Sequence, residues 1–145
     1  MSAEAKQEVR ERNIALLNDF LEFFSREGPG GLADEFDTYC HPNLEFSPGM
    51  LVLGRETHRG REEYIEYVNS LDDRAKEFDL DIEETRAVGD DFVLALGRVH
   101  FVGRTDEDSL DAEYGFLSRI EDGKFRQCQT FLSHAAAEKA ADAQA

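Results

Sequence analysis

Apolar and polar residues alternate strictly from Phe78 to Glu83, which predicts a strand with one face in water. Three more strand-like runs follow, over residues 92–102, 110–120 and 125–132. Gly89-Asp90-Asp91 turns the chain into the first of them, and Glu121-Asp122-Gly123-Lys124 joins the last two. An Asp-Gly pair between strand-like runs is the strongest short hairpin signal, because both residues accept the backbone angles that a tight hairpin turn requires.

Upstream, the apolar spacing changes from two to three and four. Ile14, Leu17, Leu21 and Phe24 mark a helix over residues 6–26, and Leu16, Phe20 and Phe23 widen its stripe. So broad a face means cover along much of the helix circumference. Gly28-Pro29-Gly30-Gly31 ends it. A second helix over 32–39 presents Leu32, Phe36 and Tyr39 to one side, and Pro42 stops it.

Residues 43–47 read as a short strand ended by Pro48-Gly49, and a polar loop then runs through Gly54 to Gly60. A third helix over 61–74 places Tyr64, Tyr67, Val68 and Leu71 on its buried side. Ser133 is suited to cap an alanine-rich terminal helix over 134–143. No repeat or linker divides the 145 residues, so one domain is expected, with a core over about 6–140. Helices gathered before an antiparallel sheet make it α+β.

Charge narrows the partners. Sixteen Lys and Arg against 32 Asp and Glu give a net charge of −16, a field that repels phosphate backbones and anionic lipid. Neither nucleic acid nor a membrane surface is an expected partner. Such acidity serves solubility, or a high-salt habitat. Cys40 and Cys128 are too few for a disulfide framework and sit in apolar stretches, where most cysteines are small buried hydrophobes. The 4 histidines are dispersed and no CxxC occurs, so neither a metal nor a cofactor is expected. With no signal-type run and no apolar stretch near ~18 residues, the expected location is the cytoplasm.

Several strings, in this order, resemble the SnoaL-like proteins of the nuclear-transport-factor-2-like superfamily. They are residues 39–46 (Tyr-Cys-His-Pro-Asn-Leu-Glu-Phe), His58-Arg59-Gly60-Arg61-Glu62, and Ile120-Glu121-Asp122-Gly123-Lys124 with the strand and helix behind it. The resemblance implies a strongly curved, mixed sheet wrapped by three N-terminal helices into a cone (the ketosteroid isomerase and polyketide cyclase fold). It also implies a homodimer through the outer sheet face. Some relatives are isomerases, cyclases or epoxide hydrolases, and others only bind, so the fold alone names no reaction. The isomerase-like members carry a general-base Asp at a position falling on Ser47. Their oxyanion donors fall near Phe20 or Leu21 and on Phe116, and the cyclases place an acid–base Asp near that last position. Each departs from the family pattern here, and no epoxide-hydrolase constellation of an Arg and two Asp is evident.

Strand parity supplies the candidate pocket. On 110–120 the inward set is Leu110, Ala112, Tyr114, Phe116, Ser118 and Ile120, and on the last strand it is Cys128, Thr130 and Leu132. On 92–102 the matching face is read as Leu94, Leu96, Arg98 and His100, although a slip of one residue would exchange the two faces. In that reading Arg98, His100 and, from the short strand, Glu45 are the candidate catalytic group: the imidazole transfers a proton, the carboxylate orients it, and Arg98 holds a substrate oxygen. Arg98 with Glu45 as a structural ion pair, and His100 at the dimer face, is the alternative. Phe20, Phe24, Phe46, Leu94, Tyr114, Phe116 and Leu132, with Ser118, Cys128 and Thr130, make a lining suited to a ring-bearing or otherwise apolar ligand. Two functions follow. One is a small-molecule site of isomerase or cyclase type for an apolar carbonyl compound. The other is a non-catalytic association or ligand-carrier domain.

Overall fold

The computed structural model describes residues 2–48, 57–105 and 109–144. Its first helix, α1 (Ala3–Gly31), is capped by Ser2, whose hydroxyl accepts the Ala5 N–H at 3.1 Å. The break expected near residue 28 is there: Gly28 has φ 74°, and Pro29 to Gly31 add a further turn. Residues 32–35 are turn, so the expected second helix shrinks to α2 (Phe36–Tyr39). It ends at Tyr39, as expected, where sheet pairing begins at Cys40 opposite Phe125, ahead of Pro42. Pro42 lies where the register slips between Cys40 and Glu45, a place that tolerates a residue without an N–H.

The remaining elements are β1 (Cys40–Ser47), β2 (His58–Arg59), α3 (Gly60–Arg74), β3 (Ala75–Val88), β4 (Phe92–Gly103), β5 (Ser109–Glu121), β6 (Lys124–Phe131) and α4 (His134–Asp142). Most of the expected loop between 48 and 60 lies outside the described residues, and its end forms β2. The expected strand over 78–83 is the middle of the longer β3. Asp122 and Gly123 both have positive φ, 55° and 73°, and turn β5 into β6 in two residues, as the Asp-Gly signal predicts.

All six strands form one unclosed mixed sheet in the order β2-β1-β6-β5-β4-β3, antiparallel except for the parallel β1–β6 pair. Helices α1 and α3 pack on its inner face, and the chain is α+β as expected. The inner core includes Leu17 of α1, Val68 and Leu71 of α3, and Leu44, Phe101 and Phe125 of the sheet. A second, smaller core lies on the outer face, where α4 covers Leu94, Leu96 and Leu117 with Ala137 and Ala141.

That second core overturns one expectation. Across the β4–β5 ladder Val93 pairs with Ser118, Ala95 with Phe116 and Gly97 with Tyr114. Partners in a ladder share a face of the sheet. Val93, Ala95, Val99 and Phe101 therefore point inward, while Leu94, Leu96, Arg98 and His100 point outward. The inward sets expected on β5 and β6 are correct; the one on β4 is the wrong face. Both faces of β4 begin apolar because both are buried, one under α1 and the other under α4.

Candidate functional site

The mouth of the cone is built by aromatic side chains that α1, α3 and the sheet bring together. Phe20 stacks on Phe116 with centroids 5.8 Å apart and 16° between planes. Phe46 meets the rings of Tyr64 and Tyr67 at 5.3 and 5.0 Å. Phe24 meets Phe78 at 5.4 Å. They leave a cavity of about 50 Å³, lined by Phe20, Phe24, Phe46, Tyr114, Phe116 and Thr130, all expected from the sequence. Leu21, Leu32, Phe78 and Leu80 join them, as do Tyr64, Tyr67, Val68 and Leu71. The α3 residues carried a legible signal, since they were already on that helix's buried face; what the sequence lacked was any sign that the face borders a space.

Other expected lining residues stand elsewhere. Ser118 and Cys128 are on the inner face but deeper, hydroxyl and thiol 3.1 Å apart, and Ser118 also donates to the Gln127 carbonyl. Leu132 packs against the inner core without bordering the cavity. Leu94 is fully buried beneath α4 on the outer face.

The polar side chains among the described lining residues are Tyr64, Tyr67, Tyr114 and Thr130, all hydroxyls. Burial pushes the Tyr67 phenol up to about 12 and raises those of Tyr64 and Tyr114 well above the ordinary range. They are proton donors at neutral pH. Burial also raises both thiols, Cys128 to about 12 against a lowering by the Ser118 hydrogen bond. Neither is an activated nucleophile.

The proposed catalytic group lies on the other side of the sheet. Arg98 meets Asp111 at 3.5 Å, and His100 lies between Glu77 at 3.3 Å and Asp111 at 3.7 Å. Their side chains are about half exposed, and ion pairs in that setting stabilise by only ~0–1 kcal/mol. Glu45 also faces outward, 3.8 Å from both Arg59 and Arg126 and accepting from Gln127 at 3.3 Å. No contact joins Glu45 to Arg98 or His100 among the described residues, and the expected Arg98–Glu45 ion pair does not form. Glu45 borders an outer groove of about 220 Å³ with Arg59, Arg119, Gln127 and Gln129. Ser47 lies there too, 2.9 Å from the Thr57 hydroxyl.

Two histidines need separate accounts. His41 stands 3.4 Å from Glu121 and 3.9 Å from Asp122, close enough for the three to share an ion. Its Nδ1 accepts the Asn43 N–H at 3.0 Å, so in the neutral ring Nε2 carries the proton and has no lone pair for a metal. His58, within the stretch expected as a polar loop, is half-buried on β2, paired with the inward-facing Phe46. Its ring is 4.9 Å from that of Tyr67, and its Nε2 is buried without a hydrogen-bond partner among the described residues. A buried polar atom left unpaired costs about 1–3 kcal/mol.

A curved sheet with helices on its inner face, closing on an aromatic-lined hollow, defines a cone-shaped α+β domain. The SnoaL-like domain family matches residues 17–128, and the chain belongs to it. No curated protein matches by sequence. Solved structures with the same fold include an NTF2-like protein from Burkholderia xenovorans LB400, 17% identical over 91% of this chain and 97% of that one, with a TM-score of 0.70. An LEH-like epoxide hydrolase from M. tuberculosis is 15% identical over 93% and 92% of the two chains, at 0.65. A protein from Catenulispora acidiphila DSM 44928 with a ketosteroid isomerase-like fold, in complex with trimethylamine, is 13% identical over 84% and 88%, also at 0.65. At these identities the likeness is one of fold. Among the described residues no helix is long and apolar enough to cross a membrane.

Proposed function

We propose that this chain is a small-molecule-binding member of its family, holding an uncharged, largely apolar ligand of a few atoms in the cone, without acid–base chemistry there. The carrying observation is the lining: eight aromatic residues and four hydroxyl groups, with no carboxylate, imidazole, guanidinium or amine among the described residues. A general base must titrate near the working pH, and phenols held this high do not. A carboxylate or other anion entering such a lining would lose its hydration without a partner.

Size supports a small ligand over a ring-bearing one. A cavity of ~150 Å³ takes up benzene and one water needs ~10–15 Å³, so about 50 Å³ holds roughly four water-sized groups. At a ceiling of about −1.5 kcal/mol per non-hydrogen atom, a four-atom ligand binds no tighter than tens of micromolar.

Titration of the full chain with isopropanol, acetone or acetonitrile, followed by methyl NMR, tests this. Saturable shifts at Val68, Leu71, Leu80 and Thr130 are expected with at least one probe. Absence of saturation with all three, up to tens of millimolar, would overturn the reading. The outer face is proposed as a contact between two copies, supported by the polar surface around Arg119, Gln127 and Gln129 that α4 leaves uncovered. Sedimentation at micromolar protein should give the dimer mass, and the monomer mass would exclude it.

A further inference from the structure

His58 is the odd histidine of the four. His41, His100 and His134 each turn ring nitrogens to a carboxylate or a backbone group. Nε2 of His58 is buried and has no hydrogen-bond partner among the described residues. It is also the histidine on the cone side: β2 pairs it with Phe46, and its ring packs on Tyr67, both of which line the cavity. Arg59, the next residue, points the other way toward Glu45, as alternation requires. Native structures rarely leave a buried nitrogen without a partner, and each such atom calls for a cause.

We propose that the missing partner is the ligand: His58 Nε2 anchors the one polar atom of a small alcohol or ketone whose apolar body fills the aromatic cavity. This rests on the cavity reading above and adds the ligand's chemistry. Tyr67 both lines the cavity and packs on the imidazole, so a turn of that one ring would bring Nε2 to the cavity's edge. A neutral imidazole offers one donor and one acceptor, which matches a hydroxyl in either sense and a carbonyl through the donor. With no charged side chain among the described lining residues, a carboxylate head has nothing to pair with. An alcohol or ketone brings hydrogen-bonding capacity without that cost.

The experiment uses the full-length, ¹⁵N-labelled protein and isopropanol as the probe, read at the imidazole nitrogens and the cavity methyls together. At saturation the His58 Nε2 resonance should move while those of His41, His100 and His134 stay. His58→Phe, which keeps a ring against Tyr67, should weaken isopropanol binding roughly three- to tenfold, the usual worth of one neutral hydrogen bond. His58→Asn, which keeps a polar group, should recover part of the loss. If the methyls of Val68 and Thr130 saturate while Nε2 stays still, the anchor is wrong and the cavity reading survives. If neither the methyls nor Nε2 respond to isopropanol, the anchor is also wrong, and the same titration counts against the cavity. The ¹⁵N measurement needs no variant, so it decides the matter even if His58→Phe does not fold.

Discussion

Ala95 stands opposite Phe116 across the β4–β5 ladder, and the two side chains meet the interior together. This pairing puts a small residue where a ring needs room: Phe116 fills the space beside Ala95, stacks on Phe20 and meets Phe125 edge-on at 5.8 Å. Phe116→Ala removes that ring from the cavity wall. It should destabilise the fold by about 3–5 kcal/mol in denaturant titrations, as buried Phe truncations do. The enlarged hollow should also admit benzene, raising the melting temperature of the variant but not of the parent. Benzene stabilising both equally would mean that the parent cone already accepts rings.

Arg98 and His100 form exposed pairs on the outer face, away from the cavity. Arg98→Ala and His100→Ala should each change stability by within about 0.5 kcal/mol and leave probe binding in the cone unchanged. A severalfold loss of isopropanol affinity in either variant would return these residues to the site.

Alkaline pH should unfold the chain for a specific reason. Cys128 and Tyr67 keep their protons to about 12 when folded, against ordinary values of 9.0 and 10.0. In the interval between, the unfolded chain binds fewer protons than the folded one, so stability falls as pH rises. Their contribution is complete below about pH 9 and lost progressively toward 12. Stability measured by denaturant from pH 7 upward should show that decline, and a flat profile through pH 11 would contradict it. Both thiols should resist alkylation at pH 8 until denaturant is added.

The close fit of α4 on the sheet gives a fourth test. A Cβ on Gly115 would collide with that of Ala137, and Ala137 is fully buried. Gly115→Ala should push the helix outward, costing about 1–3 kcal/mol. Amide exchange over residues 134–142 should speed up more than in β5 itself. Equal acceleration in both would show that α4 and the sheet open as one unit.

Much of this architecture is legible in the chain. The Asp122-Gly123 turn, the Ser133 cap, the break at Gly28 and the inward sets of β5 and β6 follow from local chemistry, because each depends on one residue's backbone preference or on a single alternation. The cavity residues on α1 and β5 were readable for the same reason. The face of β4 was not. Leu94 and Leu96 are as apolar as Val93 and Ala95, and nothing within β4 reveals that α4, some forty residues on, covers one pair while α1 covers the other. Only the β4–β5 register chose between them, and with it moved Arg98 and His100 out of the cone. His58 was hidden differently. Its burial comes from Tyr67 on the next helix and from pairing with Phe46, contacts that exist only once three separate segments have met.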